Sequence, residues 1–405
     1  MQNVPTVRFL DRTTPPHIAT LILLAGLSAL AMNVFLPSLP KMVAHFDTQY
    51  RLMQLSVAIY LAVNAVLQVL IGPVSDKFGR RPVILWGVGL FCVATVGCIF
   101  APNVTLFLTF RMCQAVVVTA MVLSRAAVRD VVPQDQAASM IGYVTMGVAV
   151  VPMIGPVIGG MLDEAFGWQS TFWLLLILGG AIFWLTWCDL GETSAPRGLS
   201  LGQQFRKYPE LLASPRFWGY ALTCALASGG FFAYLGGAPF VGTAVFGLTP
   251  TVLGFFFGLP AIGYFIGNGL SGKFSARIGV NLMILWGCLT NTAGLALALI
   301  LFLSGLQSEW TFFGCMTFMG LGNGMTIPNA TAGALSVRPH LAGTASGLSG
   351  AIMIGGGAGL SALAGGLLQP GTGAWPLLWL MLATGVASIM SIALVFLRER
   401  KLRGY

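Results

Sequence analysis

Charge is what this chain has least of. Asp, Glu, Lys and Arg make up 8% of its 405 residues, against about 25% in an ordinary soluble domain. So little charge cannot coat a water-facing surface of this size, which excludes a soluble globular enzyme. Chemistry-bearing clusters are missing as well. The seven cysteines (Cys92, Cys98, Cys113, Cys188, Cys224, Cys288, Cys315) fall in apolar runs and none forms Cys-x-x-Cys. They read as small buried hydrophobes rather than disulfides or metal ligands. The three histidines, His17, His45 and His340, lie in predicted loops or at helix edges with no His-Glu-x-x-His spacing. No hydrolytic metal site is indicated, and no cofactor is expected.

What is abundant is apolar. Hydrophobic residues make up 56% of the chain, mean hydropathy is +0.84, and the 52 glycines suit helices packed closely through small side chains. Apolar segments of about 20 residues, enough to cross a bilayer, are placed at 18–44, 51–72, 83–101, 105–125, 137–162, 171–190, 217–242, 250–270, 280–304, 310–332, 341–368 and 374–397. Ala29-Leu-Ala31 could pass for a signal-peptidase site, but cleavage there would break the even count, so the first segment is read as a true span.

The +9 net charge is distributed by topology. With both termini cytoplasmic, all Lys and Arg except Lys41, Arg51 and Arg111 fall in inner loops and tails, Arg125 and Arg129 among them. That asymmetry sets orientation in an inner membrane and excludes a nucleic-acid surface.

A polar stretch from Gly191 to Pro215 divides the spans six and six. The expected domains are an N-terminal bundle over 1–190, a cytoplasmic central loop over 191–216, and a C-terminal bundle with a basic tail over 217–405. The halves echo each other weakly: Ser271-Gly-Lys273-Phe274 repeats Ser75-Asp-Lys77-Phe78, which puts Arg277 where Arg81 stands. The fold expected is all-α and integral to the membrane, with twelve spans in two pseudo-symmetric six-helix bundles and a substrate site between them.

The most charged stretch between two apolar runs is Gly72-Pro-Val-Ser-Asp76-Lys-Phe-Gly79-Arg80-Arg81-Pro82. Gly72 and Gly79 are expected to make tight turns with positive φ, and Pro73 and Pro82 to mark where helices stop and start. The positive-inside rule accounts for the cations but not for Asp76 or the spaced glycines. These residues resemble the loop between the second and third helices of the major facilitator superfamily, with Lys77 where Arg is frequent. That resemblance implies that Asp76 meets the start of the eleventh helix, where the dipole favours an anion. It also implies that the arginines meet an acid ending the fourth helix, here Asp130, and so lock the halves outward-open. The other reading is local loop structure only.

Two further stretches resemble family motifs. Val151-Pro152-Met-Ile-Gly155-Pro156-Val-Ile-Gly159-Gly160 is similar to the antiporter motif of drug-exporting members, although any Gly-rich span packs tightly. Arg111-Met-Cys-Gln114-Ala is similar to the fourth-helix motif with its intramembrane Arg. An Arg there is costly unless it has a partner or faces water, or unless it snorkels to the surface.

Ala31-Met-Asn33-Val-Phe-Leu-Pro37-Ser-Leu-Pro40 resembles the bicyclomycin/chloramphenicol-resistance group of drug:proton antiporters. There the position of Asn33 usually carries an Asp that takes part in proton coupling. All 12 acids of this chain lie in loops, tails or helix ends. Asn33 is thus open to three readings: an introduced change, coupling through other groups, or a natural transporter that is uncoupled or moves neutral or anionic substrates past Arg111.

The pathway candidates are Asn33, Tyr60, Asn64, Arg111, Gln114, Met146, Phe231, Tyr234, Tyr264 and Asn268, each of which equally suits packing or a lipid-facing position. The resemblance implies a monomeric exporter of small amphipathic drugs such as phenicols, working with protons and the bilayer as partners. The alternatives are export or uncoupled facilitation of a metabolite or amino acid derivative. A polytopic membrane enzyme would need a catalytic cluster that the sequence does not show, and a sensor is disfavoured by the short tail after Leu397.

Overall fold

In a computed structural model of the chain, residues 7–131, 151, 154–193, 208–338 and 341–403 are described, and among them every regular element is helical. Among the described residues, ten helices are long and apolar enough to cross a membrane. Two further predicted spans complete the series. The tenth, Glu309–Ser336, has the length (28 residues) but is diluted by Gly, Asn and Thr. The fifth is helical at 151 and over 154–166; Met146 and Pro152 lie outside the described residues.

Local sequence sets the helix ends. His17 Nδ1, Asn103 Oδ1 and Ser308 Oγ each accept a backbone N–H from the first turn of the helix that follows, satisfying donors that no carbonyl can reach. The first span is not one helix. It runs Ile18–Asn33, breaks through a short 3-10 turn at Leu36–Ser38 and resumes at Leu39–His45, because Pro37 and Pro40 supply no N–H to continue the ladder. The fourth breaks similarly, Val104–Gln114 and Val118–Val131 being joined by 3-10 geometry at Ala115–Val117.

The second span corrects the reading of the charged stretch. It extends over Tyr50–Phe78 with Pro73 inside it, and the next helix is Arg80–Ile99. Gly72 is therefore helical, and Gly79 alone forms the turn, with φ +95° and ψ +153°. A proline inside a membrane helix is tolerated where neighbouring groups re-satisfy the freed carbonyl. The internal repeat is likewise one helical turn further along than the sequence suggested. Pro250–Ile278 is followed by Gly279 at φ +89°, so Ser275 matches Ser75 and Arg277 matches Lys77, not Arg81. A slip of one turn leaves side chains on the same helix face, which is why the shorter match looked convincing.

The two halves meet mainly through the second span against the eleventh (Ala342–Leu367) and the fifth against the eighth. Contact is closest at the face opposite the chain ends. Tyr50 donates to Gly236 O at 2.7 Å, and Gln54 donates to Ser361 O at 2.6 Å and to its Oγ at 2.8 Å. Toward the face that carries the chain ends, Gly355 lies 3.7 Å from Ala65 and Gly350 2.9 Å from Gln68 Oε1, measured from a Cβ placed on each glycine. Beyond that level, a Cβ on Gly72 or Gly347 would meet nothing within 4 Å. The halves thus part toward the terminal face.

Candidate functional site

Between the halves lies a cavity of about 240 Å³. Its walls are mainly apolar and aromatic, with Phe231, Phe232, Phe257 and Met353 prominent and Asn33, Arg125, Ser228, Tyr264 and Asn323 as the polar points. Asn33 closes the first helix of its span and turns its amide back to Ala29 O at 2.7 Å. Pro156 of the fifth span and Pro260 of the eighth also border the cavity. Of the sequence candidates, Asn33, Phe231 and Tyr264 come together here.

Tyr60, Arg111 and Gln114 form a separate cluster inside the N-terminal half. Arg111 is 1% exposed, which removes the snorkelling reading. Its two terminal nitrogens donate to Gln114 Oε1 at 2.7 Å and Ala31 O at 2.8 Å. The guanidinium lies between the rings of Tyr60 and Phe35, 4.1 and 4.3 Å from their centroids. Ala31 O is one of the carbonyls left over where the first helix stops at Asn33, so the cation caps the negative end of that helix dipole. Gln114 passes the network on to Thr95 Oγ1 at 2.7 Å. Arg111 therefore ties the breaks in the first and fourth spans together and does not border the cavity.

Three further described candidates, Asn64, Asn268 and Tyr234, are not among the residues that border the cavity. Asn64 accepts from Gln68, Asn268 donates to Tyr264 O of its own helix, and Tyr234 sits among Phe231, Phe257, Phe312 and Phe313.

At the terminal face, Arg80 Nε pairs with Asp130 at 3.1 Å, and Arg80 also reaches Ser75 Oγ. Arg81 departs from the expected partner. It donates to Leu190 O and Trp187 O and stacks on the Trp187 ring at 5.0 Å, holding the end of the sixth span (Gln169–Asp189). Glu192, unremarked in the sequence, receives the backbone N–H groups of Arg80 and Arg81. Its charge sits on the positive end of the third helix. The signal for it was an acid two residues past a predicted span, which sequence alone cannot connect to a distant helix start. Asp76 lies on the last turns of the second span; its side chain is outside the described residues.

The glycines of the fifth span serve close approach. A Cβ on Gly159 would run into Val34 O at the break in the first span, and one on Gly155 would lie 3.1 Å from Leu30. Across the interface the contact is reciprocal: a Cβ on Gly160 would meet Pro250 O, and one on Gly254 would meet Pro156 O. Beside this seal, Glu164 accepts the Thr251 N–H at 3.0 Å. Hydrogen bonds from Thr249 and then Thr251 hold its carboxyl below the usual range.

Arg125 is the polar group that the sequence misplaced. Assigned there to an inner loop, it lies within the second helix of the fourth span and borders the cavity. Its spacing from the helix end resembles that of any membrane-edge arginine, so only the packing reveals it.

The sequence matches the Major Facilitator Superfamily over residues 21–361. The chain belongs to that superfamily. Among its relatives in the superfamily is Multidrug resistance protein D of Escherichia coli, 28% identical, the match covering 90% of this chain and 95% of that one. The Chloramphenicol resistance protein of Pseudomonas aeruginosa is 30% identical, covering 93% and 91%. A bacterial homologue of the human lysosomal transporter Spinster, solved in an inward-facing and occupied conformation, shares the superfamily fold. It has a TM-score of 0.69 at 20% identity, covering 95% of this chain and 96% of that one.

Proposed function

We propose that this transporter exports small amphipathic compounds, phenicol-type drugs among them, from the cytoplasm across a bacterial inner membrane. The observation that carries this reading is the aromatic-walled cavity between two halves that are sealed at one face and part at the other. The resistance proteins among its relatives support the substrate class. The excess of Lys and Arg in loops on the terminal side supports a cytoplasmic location for that face and for both termini. The structure then corresponds to the loading state of an alternating-access cycle. Asp76, Arg80, Arg81, Asp130 and Glu192 are assigned to the hairpin that closes the cytoplasmic face, and Gly155, Pro156, Gly159 and Gly160 to the outer seal.

Proton antiport is the coupling expected from the drug-exporting relatives. A titratable group in the pathway is its physical requirement, and Asn33 cannot supply it. Efflux of chloramphenicol from proteoliposomes, with and without an imposed pH gradient, tests both points when the chain is compared with Asn33→Asp. Gradient-driven efflux by the Asp variant alone makes Asn33 the interrupted coupling position. Efflux by both places coupling on another group. Efflux by neither overturns the drug-export reading.

A further inference from the structure

Among the described residues, Arg111 and Arg125 lie within the membrane-spanning body; the Nε of each is buried without a hydrogen-bond partner, and they differ in their terminal nitrogens and in their access to the cavity. Arg111 has both terminal nitrogens bonded and an aromatic ring on either side. Arg125 borders the central cavity, its Nε buried and without a hydrogen-bond partner. No residue bordering the cavity is acidic among the described residues. An arginine stays charged at any accessible pH, and a buried charge without a counter-charge is costly.

The surroundings specify what would satisfy it. Tyr264, on the eighth span of the opposite half, borders the same cavity. Asn33, Ser228 and Asn323 add neutral hydrogen-bonding groups, and Phe231 and Phe257 supply aromatic surface. A guanidinium presents a fork that fits a carboxylate with two parallel hydrogen bonds.

We propose that Arg125 is the anchor for an anionic oxygen group, a carboxylate above all, on an aromatic or amphipathic substrate whose body rests on Phe231 and Phe257. The inference rests on the cavity being the transport site and narrows the substrate class within that reading. It places the preference for anions on Arg125, which borders the cavity, not on Arg111, whose two terminal nitrogens are bonded inside the N-terminal half and which does not border it.

The test compares 2-naphthoate with its uncharged isostere 2-naphthamide, by equilibrium binding to the purified full chain in detergent. The wild type is expected to bind the carboxylate about 10- to 100-fold more tightly, the range a charge-assisted pair provides. Arg125→Gln should abolish the difference between the two probes. Arg125→Lys keeps the charge without the fork, should retain part of the preference, and serves if the Gln variant does not fold. Equal binding of the two probes by the wild type, absence of binding by both, or a preference that survives in the Gln variant overturns the proposal. Chloramphenicol efflux by the same protein reconstituted in proteoliposomes separates it from the broader reading. Efflux without anion preference removes only the Arg125 assignment, whereas anion preference without efflux removes only the drug-export assignment.

Discussion

A side chain on Gly79 would occupy the space that the Glu192 carboxylate fills. The residue is constrained twice, because its φ of +95° with ψ of +153° is a region essentially reserved for glycine, costing other residues about 1–3 kcal/mol. One glycine thus lets the second helix turn directly into the third and admits the acid that caps the third. Gly279 has nearly the same backbone, at φ +89° and ψ +151°, but a Cβ there would meet nothing within 4 Å.

This contrast gives the first prediction. Gly79→Ala should lower the melting temperature of the purified protein more than Gly279→Ala, since both bear the backbone strain but only the first displaces Glu192. Glu192→Ala should bring the two glycine variants closer together. Equal losses for the glycine variants would show that the carboxylate yields without cost.

The reciprocal contact of Gly160 and Gly254 with opposing carbonyls gives the second. Gly160→Leu or Gly254→Leu should wedge the fifth and eighth spans apart, since an added side chain has only rigid backbone to displace. Pulsed electron-spin distances between labels at the outer ends of these spans should lengthen in each variant. Unchanged distances would mean that the seal is held elsewhere, at Gln54 and Ser361.

Arg111 provides the third. Arg111→Leu strands Ala31 O and Gln114, each a partner in a charge-assisted bond worth about 1.5–3 kcal/mol. Thermal unfolding in detergent should show a large loss, with Arg111→Lys intermediate because an ammonium cannot reach both acceptors in the same flat geometry. A Lys variant as stable as the wild type would reduce the role of Arg111 to charge alone.

Glu164 provides the fourth, through pH. Its carboxyl is held below the ordinary glutamate value of 4.5 by hydrogen bonds from Thr249 first and then Thr251. A depressed acid stabilises the sealed state above its ordinary value and loses that contribution as pH falls through the lowered one. Below pH 4.5, the outer face should open progressively in the wild type but not in Glu164→Gln. A pH response that survives in the Gln variant would assign it to another group, Asp163 beside Lys41 being the next to examine.

The spans were legible because bilayer length and apolar composition leave few alternatives, and the charged hairpin because glycine, acid and arginines coincide at a helix junction. The breaks in the first and fourth spans were less so. Pro37 and Pro40 signal the first, but nothing in Ala115-Val-Val117 signals the second, which follows the Arg111 network. Gly72 and Pro73 looked like a helix end and proved to be helical, since local preference yields to packing within the membrane. Helix rotation decided the rest: Tyr60, Asn64 and Tyr234 have the composition expected of a pathway but do not border the cavity, whereas Arg125, assigned by its sequence to a loop, does.

The position of Arg125 also has an electrical consequence. A cavity that opens first to one side and then to the other while holding a fixed positive charge shifts that charge within the membrane field. Each elementary charge moved across the whole field is worth about 2.3 kcal/mol per 100 mV. The empty carrier would therefore reorient at a rate set by voltage, and an anion bound to Arg125 would cancel the effect. A cycle in which Asn33 binds no proton can still draw on the membrane potential.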